Sequence, residues 1–377
     1  MPFALTRLRL LHFRNHAELA WEPGPQVNCI TGPNGVGKTN LLDAVHYLAL
    51  GKSYFEPTDQ HHILHGQDMF MVQGTFRTEA GDDELMCSVR RGQRKLMSRN
   101  RKEYARLADH VGRYPVVMIT PYDAVLVSGG SEVRRRFLDG LIAQFDKAYL
   151  DRLIRYNRVL VQRNTQLKRF AEQGGGALSA LEPWDMQLDE LGTAVHAART
   201  ELMDRLVPLL NTHYAAIGSG PEQVALEYRS DLTDTPLREL LAAAWDRDRS
   251  AQYTTVGVHK DDLEFTINGR PLKRFGSQGQ QKTYLIALKL AQFSLTHAHT
   301  GMRPILLLDD IFDKIDPQRM RGLLRMLGDD RFGQVFITDT DAPRLLAALD
   351  GLGLDVRTFP MDHKPADHAA PERTIAQ

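Results

Sequence analysis

The two ends of the chain carry the hydrophobic pattern of β-strands. Residues 3–13 alternate apolar with basic residues, which predicts a strand with one solvated face. Residues 69–76 and 84–90 indicate two further strands, joined by a hairpin turn at 80–82. Other segments are short, mostly apolar runs, as in strands that are buried in a sheet. These runs lie at 27–30, 115–120, 305–308 and 335–337.

The middle of the chain has a helical period instead. Apolar residues at 138–167 recur every three or four positions, which predicts one long amphipathic helix that ends at the glycines 174–176. A second helical pattern at 184–206 predicts an antiparallel hairpin of two helices. Shorter helices are expected at 236–245 and 280–293.

The segments that link these helices are less regular. Residues 217–235 form a polar stretch, and 256–258 and 263–267, with a turn at Asn268 and Gly269, indicate a β-hairpin. Strands and helices therefore mix at both ends, with a helical region between them. We expect an α/β fold that contains a helical insertion.

Composition narrows the class of protein only slightly. The chain has 47 Lys and Arg and 47 Asp and Glu, so its formal net charge is zero and any site for a polyanion must be a local patch. Its two cysteines, Cys29 and Cys87, support neither a disulfide framework nor a zinc site. Since no long apolar run and no leader sequence stand out, we expect no membrane span and a cytoplasmic location.

A phosphate-binding loop is the most specific motif. Residues 32–39, GPNGVGKT, fit G-x-x-x-x-G-K-[ST] and lie between the apolar run at 27–30 and a helical pattern at 40–50. Glycines allow the backbone to turn its N–H groups toward an anion, and a helix N-terminus adds to that field. The predicted nucleotide-binding residues are Gly32, Pro33, Asn34, Gly35, Val36, Gly37, Lys38, Thr39 and Asn40.

Two acids complete the predicted catalytic set. Lys38 is expected to reach the β- and γ-phosphates, and the Thr39 hydroxyl to hold Mg²⁺. The run at 305–308 ends in Asp309 and Asp310, as in a strand that presents a carboxylate beside the loop. We expect Asp309 to hold Mg²⁺, through water, and Asp310 to act as general base on the attacking water.

A second anion-binding turn precedes the helix at 280–293. Ser277, Gln278, Gly279 and Gln280 stand at its start, where serine and glycine suit a helix N-terminus that binds an anion. An ordinary N-cap is the alternative. In ATP-binding-cassette (ABC) proteins such a turn grips the γ-phosphate of a nucleotide that the other subunit holds. Lys282 follows this turn, and the sequence leaves its role open.

Basic residues concentrate in two places. Residues 90–106 hold eight Lys or Arg against one acid, and residues 131–169 hold ten against four. Such patches neutralise DNA phosphates, although charge alone is more typical of a solvated helix face with intrahelical ion pairs. The candidate DNA-binding residues are Arg134, Arg135, Arg136, Arg152 and Arg155.

The order of these motifs resembles the ATPase heads of the SMC/Rad50/RecF class, and nearly the whole chain resembles the RecF family. The matching blocks are LTRLRLLHFRNH (5–16), GPNGVGKTNLLDAV (32–45), GKSYF (51–55), TPYD (120–123), RRRFLDG (134–140), VGVHKDDLEFTING (256–269), GSQGQQK (276–282) and LLLDDIFDKID (306–316). The last block includes a D-loop-like turn at 313–316. The helical insertion is short and has no CxxC hook, which disfavours an SMC or Rad50 tether.

The chain departs from the cassette pattern at three places. Asp310 stands where many cassette ATPases carry Glu, which suggests slow turnover. Residues 338–340, Thr-Asp-Thr, include no switch histidine, and no Q-loop glutamine is found near 120–123.

The resemblance implies an ABC-type P-loop ATPase head. Its lobe I would consist of 1–124 and 301–364, the helical arm of lobe II of 125–250, and the signature part of lobe II of 251–300, with a disordered tail at 365–377. It also implies ATP and Mg²⁺ as cofactors, an ATP-dependent head-to-tail homodimer, binding to duplex, gapped and single-stranded DNA, and action with RecR and RecO in loading RecA. A transporter-type cassette subunit and a monomeric P-loop kinase or GTPase stay as alternatives, although no N-K-x-D motif for guanine is present.

Overall fold

The computed structural model describes residues 3–218, 221–312, 317–328 and 332–362. The predicted turn at 313–316 and the predicted tail at 365–377 lie outside these residues. The strands are β1 Ala4–Phe13, β2 His16–Trp21, β3 Val27–Thr31, β4 Met69–Thr78, β5 Gly81–Arg90, β6 Leu96–Arg99, β7 Lys102–Glu103, β8 Val116–Ile119, β9 Val224–Arg229, β10 Asp262–Ile267, β11 Arg270–Pro271, β12 Ile305–Asp309, β13 Val335–Asp339 and β14 Val356–Pro360. The α-helices are α1 Lys38–Leu50, α2 Ala124–Ser128, α3 Ser131–Ile142, α4 Lys147–Glu172, α5 Glu182–Ile217, α6 Leu237–Ala243, α7 Trp245–Ala251, α8 Leu272–Phe275, α9 Gln278–Thr300, α10 Pro317–Gly328 and α11 Ala342–Leu349.

A parallel five-stranded sheet with the order β14-β3-β13-β12-β8 organises the molecule. Its strands come from both ends of the chain, and every residue of β3, β12 and β13 is buried. Successive side chains of β12 enter different cores, because neighbouring residues of a strand point to opposite faces. Ile305 and Leu307 belong to one apolar cluster, and Leu306 and Leu308 to the other. Burial on both faces explains why these strands are mostly apolar runs without a polar alternation.

An antiparallel six-stranded sheet, β2-β1-β4-β5-β6-β7, packs with α1 in the apolar cluster that contains Ile305 and Leu307. The hairpin of β4 and β5 confirms the prediction, but Thr78 pairs with Gly81, so the turn is centred on Glu79 and Ala80 rather than on 80–82. Nearly all of α1 is buried, which fits a helix enclosed between two sheets. The P-loop therefore leads into a helix that packing holds rigidly.

The helical insertion forms the other half of the molecule. The hairpin of α4 and α5 is confirmed, and α5 also packs along α9, which links the insertion to the parallel sheet. The prediction of one continuous helix over 138–167 is wrong, because the chain turns between α3 and α4. Asp146 is in an extended conformation and its side chain accepts a hydrogen bond from the Tyr149 N–H, so it caps a new helix.

The hairpin expected at 256–267 is only partly correct. Asn268 and Gly269, both with positive φ, do connect β10 to β11. However, 256–258 is not a strand, and the long partner of β10 is β9, which lies in the stretch described above as polar. The α/β class with a helical insertion is confirmed, whereas boundaries at 124, 250, 300 and 364 stay predictions.

Candidate functional site

The P-loop lies between the carboxyl end of β3 and the first turn of α1. Gly32 and Gly37 have φ of 147° and 106°, conformations that favour glycine. A Cβ at Gly32 would stand 2.1 Å from the Met361 carbonyl oxygen, so no other residue fits there without rearrangement. Residues 32–37 therefore form one compact loop, and Lys38, Thr39 and Asn40 lie in the first turn of α1, where the first N–H groups have no partner within the helix.

Lys38 reaches across this loop. Its Nζ donates hydrogen bonds to the carbonyl oxygens of Gly32, at 2.7 Å, and Pro33, at 2.8 Å. Burial lowers the pKa of Lys38, and the nearby carboxylates, Asp310 foremost, offset only part of that effect. Phosphate oxygens are stronger acceptors for an ammonium group than neutral carbonyls, so this lysine is placed to exchange its loop contacts for a polyphosphate.

Asp309 meets the P-loop helix because the parallel strands end in register. Asp309 pairs with Thr338 on the neighbouring strand, and Thr338 pairs with Ile30 of β3. Thr39 Oγ1 consequently donates to Asp309 Oδ1 at 2.9 Å and lies 3.0 Å from Oδ2. The structure thus brings together two residues that are 270 positions apart.

The environment of Asp309 suits a metal-binding carboxylate. Burial raises its pKa, although hydrogen bonds from Thr338 and Thr39 act in the opposite direction. A buried carboxylate gains most from a cation, and the Thr39 hydroxyl supplies a second oxygen ligand. These two residues fit a Mg²⁺ ion shared with nucleotide phosphates. No cluster of three or more His, Cys, Asp or Glu suitable for a metal is found among the described residues.

Asp310 adopts a left-handed backbone conformation, with φ of 47°. Its N–H donates to Thr338 Oγ1 at 2.9 Å, and the same hydroxyl donates to Asp309 Oδ1 at 2.8 Å. Left-handed conformations of residues other than glycine are uncommon and concentrate at functional sites. Thr338 therefore positions both acids, in the segment where the sequence shows no switch histidine.

Two residues from the block at 5–16 support the P-loop and were not assigned a role from the sequence. His16 Nε2 lies 3.1 Å from the Gly37 carbonyl oxygen, and burial lowers the pKa of this histidine, so a neutral ring donates that bond. Asn15 accepts a hydrogen bond from Asn40 Nδ2 at 2.8 Å and donates to the Gly35 carbonyl oxygen at 3.4 Å. The residues that follow β1 thus support the second half of the loop and the first turn of α1.

Residues 277–280, which we call the signature turn, form a complete capping box at the start of α9. Ser277 Oγ accepts from the Gln280 N–H at 3.2 Å, and Gln280 Oε1 accepts from the Ser277 N–H at 2.7 Å. Ser277 and Gln278 are exposed, whereas Gly279 and Gln280 are half-buried. Across the described part of the chain, no recorded hydrogen bond or ion pair joins the signature turn to residues 32–40.

The structure separates the candidate DNA-binding arginines into two groups. Arg134 is 13% exposed and forms a two-pronged ion pair with Asp262, at 2.6 and 2.9 Å. Arg135 donates to the Asp261 carbonyl oxygen at 2.6 Å. These two side chains hold α3 against the start of β10, so a phosphate would have to compete with their internal partners, and their assignment to DNA stays a prediction.

The remaining candidates are accessible. Arg136 and Arg155 are exposed and Arg152 is half-exposed, although Arg136 forms an ion pair with Glu132 on its own helix. Arg163, which was counted in the same basic segment, is fully buried and cannot meet DNA. Its interior partners are acidic residues of α5 and α7.

The basic segment at 90–106 lies at the edge of the antiparallel sheet. Some of its cations have acidic partners, such as Lys95 with Asp59. Others are exposed and make no recorded ion pair within the described ranges, and we call these the edge cluster. The edge cluster consists of Arg90, Arg91, Arg94, Arg101 and Lys102.

Among the residues that the structure describes, no helix is both long and apolar enough to cross a bilayer.

Comparisons with known proteins agree with this geometry. The sequence model of the RecF/RecN/SMC N terminal domain matches residues 4–352. The DNA replication and repair protein RecF of Parabacteroides distasonis is 45% identical over 355 residues, which cover 94% of this chain and 96% of that protein. The protein of the same name from Flavobacterium johnsoniae is 43% identical over 340 residues, covering 90% of this chain and 95% of its own.

Solved structures show the same fold. A structure described as the recombination mediator protein RecF-ATPrS in the RecFOR pathway superposes with a TM-score of 0.84, at 27% identity, over 96% of this chain and 98% of that one. An Smc head domain from Pyrococcus furiosus superposes with a TM-score of 0.56, at 13% identity, over 95% of this chain and 94% of its own, and shows the shared fold alone.

The parallel sheet aligns a P-loop with an acidic strand, and the helical lobe beside it carries a separate signature turn. This arrangement defines an ABC-type ATPase head of the RecF/RecN/SMC class. Identity above 40% over nearly the full length places the chain within that class. The chain belongs to the RecF family of DNA replication and repair proteins.

Proposed function

We propose that the chain is an ATP-dependent DNA-binding recombination mediator. The observation that carries this proposal is the 2.9 Å hydrogen bond from Thr39 to Asp309, which assembles a phosphate loop and an acid into one site. Residues 32–40 bind the triphosphate, with Lys38 on the β- and γ-phosphates. Thr39 and Asp309 would hold Mg²⁺, which neutralises charge on the transferring phosphoryl group.

Asp310 acts as the general base in slow hydrolysis. Its side chain is one methylene shorter than the glutamate of many cassette ATPases, so it holds the water less closely. Slow hydrolysis suits a switch, because the ATP-bound state then lasts long enough to act on DNA. Cleavage of ATP opens the dimer and releases the DNA.

Two chains dimerise head to tail with two nucleotides between them. Ser277 and Gln278 are exposed, and within the described ranges no recorded hydrogen bond or ion pair joins the signature turn to the P-loop of its own chain. Both features suit a turn that binds the other subunit's γ-phosphate. The turn combines a helix N-terminus with the Ser277 hydroxyl, and both favour an anion. ATP therefore controls association by bridging the two subunits.

The dimer binds duplex and gapped DNA, and single-stranded DNA at junctions, through exposed cations. The edge cluster, the exposed Arg136 and Arg155 and the half-exposed Arg152 supply positive charge that contacts phosphates without reading sequence. The RecFOR pathway that is named for the related structure supports action with RecO and RecR, which leads to RecA loading in recombinational repair and replication restart in the cytoplasm.

Sedimentation velocity with ATP and without it tests the dimer. We expect the wild-type chain to be monomeric alone and dimeric with ATP, and both Lys38→Met and Ser277→Arg to stay monomeric. The two variants fail differently, because Lys38→Met loses ATP affinity whereas Ser277→Arg keeps it. ATP-dependent dimerisation of Ser277→Arg equal to that of the wild type would refute the sandwich.

Salt titrations of binding to gapped, duplex and single-stranded DNA, with ATP and a slowly hydrolysed analogue, test the DNA surface. Replacing Arg90, Arg94 and Arg101 together by Gln should reduce the slope of log K against log salt by about 0.9 per lost duplex phosphate contact. Arg229→Gln is the matched control, because Arg229 is 60% exposed but is neutralised by Glu227 and Glu264. An unchanged slope for the triple variant would remove the edge cluster from the DNA surface.

A further inference from the structure

A carboxylate from outside the motif contacts the signature turn. Glu222, just before β9, accepts a hydrogen bond from Gln280 Nε2 at 2.7 Å. The same carboxylate accepts a hydrogen bond from the Tyr214 hydroxyl and lies 3.9 Å from Arg319 Nη2. The side chains of Glu222 and Arg319 are only 18% and 12% exposed. Glu222 therefore joins α5, α9 and α10 at the first turn of α9.

This contact determines which way the Gln280 amide faces. A glutamine amide has a donor end and an acceptor end, and an ionised carboxylate only accepts. Glu222 therefore binds the NH₂ end, which leaves Gln280 Oε1 to accept the Ser277 N–H at 2.7 Å. If the amide were flipped, Gln280 Oε1 would face the Glu222 carboxylate and Gln280 Nε2 would face the Ser277 N–H, and both contacts would be repulsive. Glu222 thereby stabilises the half of the capping box in which the Gln280 side chain accepts the Ser277 N–H.

The charge of Glu222 is balanced locally. An uncompensated carboxylate beside a helix N-terminus would repel the phosphate that the turn is expected to bind. Burial by itself would raise the pKa of Glu222, but hydrogen bonds from Gln280 and Tyr214 and the charge of Arg319 outweigh it and lower the pKa. The carboxylate stays ionised near neutral pH, and the guanidinium of α10 neutralises it.

Arg319 also lies beside the turn itself. Its Nη1 donates to Thr283 Oγ1 at 2.8 Å and stands 3.3 Å from where a Cβ of Gly279 would be. A chain of contacts thus runs from α10, through Arg319 and Glu222, to the side chain that holds Ser277. Since α10 follows the acidic strand in sequence, this chain of contacts joins the signature turn to the same half of the molecule that carries Asp309.

We propose that Glu222 is a positioning residue for the signature turn: it orients the Gln280 amide and anchors it to Arg319, so that Ser277 and Gln280 keep the shape needed to bind the nucleotide of a second copy of this chain. This inference rests on the proposed head-to-tail dimer. It assigns Glu222 no contact with the nucleotide of its own chain. Loss of Glu222 should therefore weaken dimerisation and leave nucleotide binding by the monomer intact.

Glu222→Ala tests this separation. We expect its ATP-dependent dimerisation, measured by sedimentation velocity, to weaken about tenfold or more, as for loss of a hydrogen bond to a charged group. Binding of a fluorescent ATP analogue to the monomer should stay within about twofold of wild type. Glu227→Ala is the matched control, because Glu227 lies on the adjoining strand, is 51% exposed and contacts Arg229 rather than the signature turn. Glu222→Gln should recover part of the loss, since its amide oxygen still accepts from Gln280.

A double-mutant cycle with Gln280→Ala decides whether Glu222 acts through Gln280. If it does, Gln280→Ala alone weakens dimerisation, and adding Glu222→Ala weakens it no further. Three results would each overturn the inference while leaving the head-to-tail dimer in place. Glu222→Ala could dimerise as tightly as the wild type, the losses in the cycle could be additive, or the monomer could lose ATP affinity to the same extent. A wild-type chain that does not dimerise on ATP would instead overturn the proposed function and this inference with it.

Discussion

Replacing Arg163 by Met should destabilise the helical arm and leave DNA binding unchanged. Arg163 Nε lies 2.6 Å from Asp185 Oδ1, and its Nη1 lies 2.7 Å from Asp248 Oδ2. Both Arg163 and Asp248 have fully buried side chains. Charge alone leaves a phosphate contact and a solvated helix face open at this position, whereas the structure shows an internal link between α4, α5 and α7.

The size of the destabilisation depends on the buried carboxylate of Asp248, which Met at position 163 leaves without its cation. Removing one partner of a buried ion pair costs about 3–5 kcal/mol, because the other charge remains buried without compensation. Asp248 keeps two hydrogen bonds from Thr255, from its N–H at 2.8 Å and its Oγ1 at 2.6 Å. We therefore expect a loss near the lower limit, about 3 kcal/mol of unfolding free energy.

Urea unfolding followed by tryptophan fluorescence measures this loss where it occurs. Of the chain's three tryptophans, Trp184 and Trp245 pack against the apolar cluster of Leu167, Phe170 and Leu181 beside the buried arginine, and Trp21 lies in the other core. A Trp21→Phe background removes the distant signal, so that the midpoint reports on the arm. Arg155→Met, an exposed position on the same helix, is the matched control.

The two variants should give opposite results. Arg163→Met should lower the urea midpoint and keep the salt slope of DNA binding, whereas Arg155→Met should keep the midpoint and, if Arg155 contacts DNA, reduce the slope by about one. An unchanged midpoint for Arg163→Met together with a reduced slope would refute the reasoning from burial.

Three further predictions follow from the site and its surroundings. Thr338→Val removes the hydroxyl that contacts both acids, so kcat for ATP hydrolysis should fall about 10–100-fold while the affinity for ATP is kept. A normal kcat in a steady-state assay would contradict the positioning role of Thr338. Asp310→Asn should bind ATP and dimerise but fail to hydrolyse, so sedimentation should show a long-lived dimer; rapid return to monomer would exclude Asp310 as the base. Burial lowers the pKa of His259 to about 4, from about 6.5 in the unfolded chain. The neutral ring therefore contributes to stability above about pH 6.5, and this contribution is lost as the pH falls toward 4. His259→Gln should flatten this loss in urea midpoints measured at pH 7 and pH 5, and an unaltered pH dependence would count against it.

Local pattern was enough to predict most of the parallel sheet and the position of the phosphate-binding motif. The parallel strands are short apolar runs because helices or another sheet cover both faces, so β3, β12 and β13 are visible in the sequence. The P-loop is equally visible, because its backbone geometry requires glycine at fixed positions. Both signals arise within about ten residues of chain, which is why they need no knowledge of distant partners.

Other features depend on partners that are distant in sequence. Arg134 meets Asp262 across 128 positions, and the strand β9 pairs with β10 far along the chain, so neither contact leaves a local pattern. The break between α3 and α4 is set by a single cap at Asp146, inside an apolar period that continues on both sides. Charge density and helical period can be counted along the sequence, but they do not predict which of the charged side chains are buried.

The sequence by itself determined that this chain has a P-loop motif, an acidic strand and a second glycine-containing turn at a helix N-terminus, because each is a short motif with its own backbone chemistry. Only the tertiary structure decided how they relate. The register of the parallel strands brings Asp309 to Thr39, and Thr338 holds both acids in place. Folding also joins Glu222 to Gln280 across 58 positions, since the packing of α5, α9 and α10, rather than any local motif, brings that carboxylate to the turn.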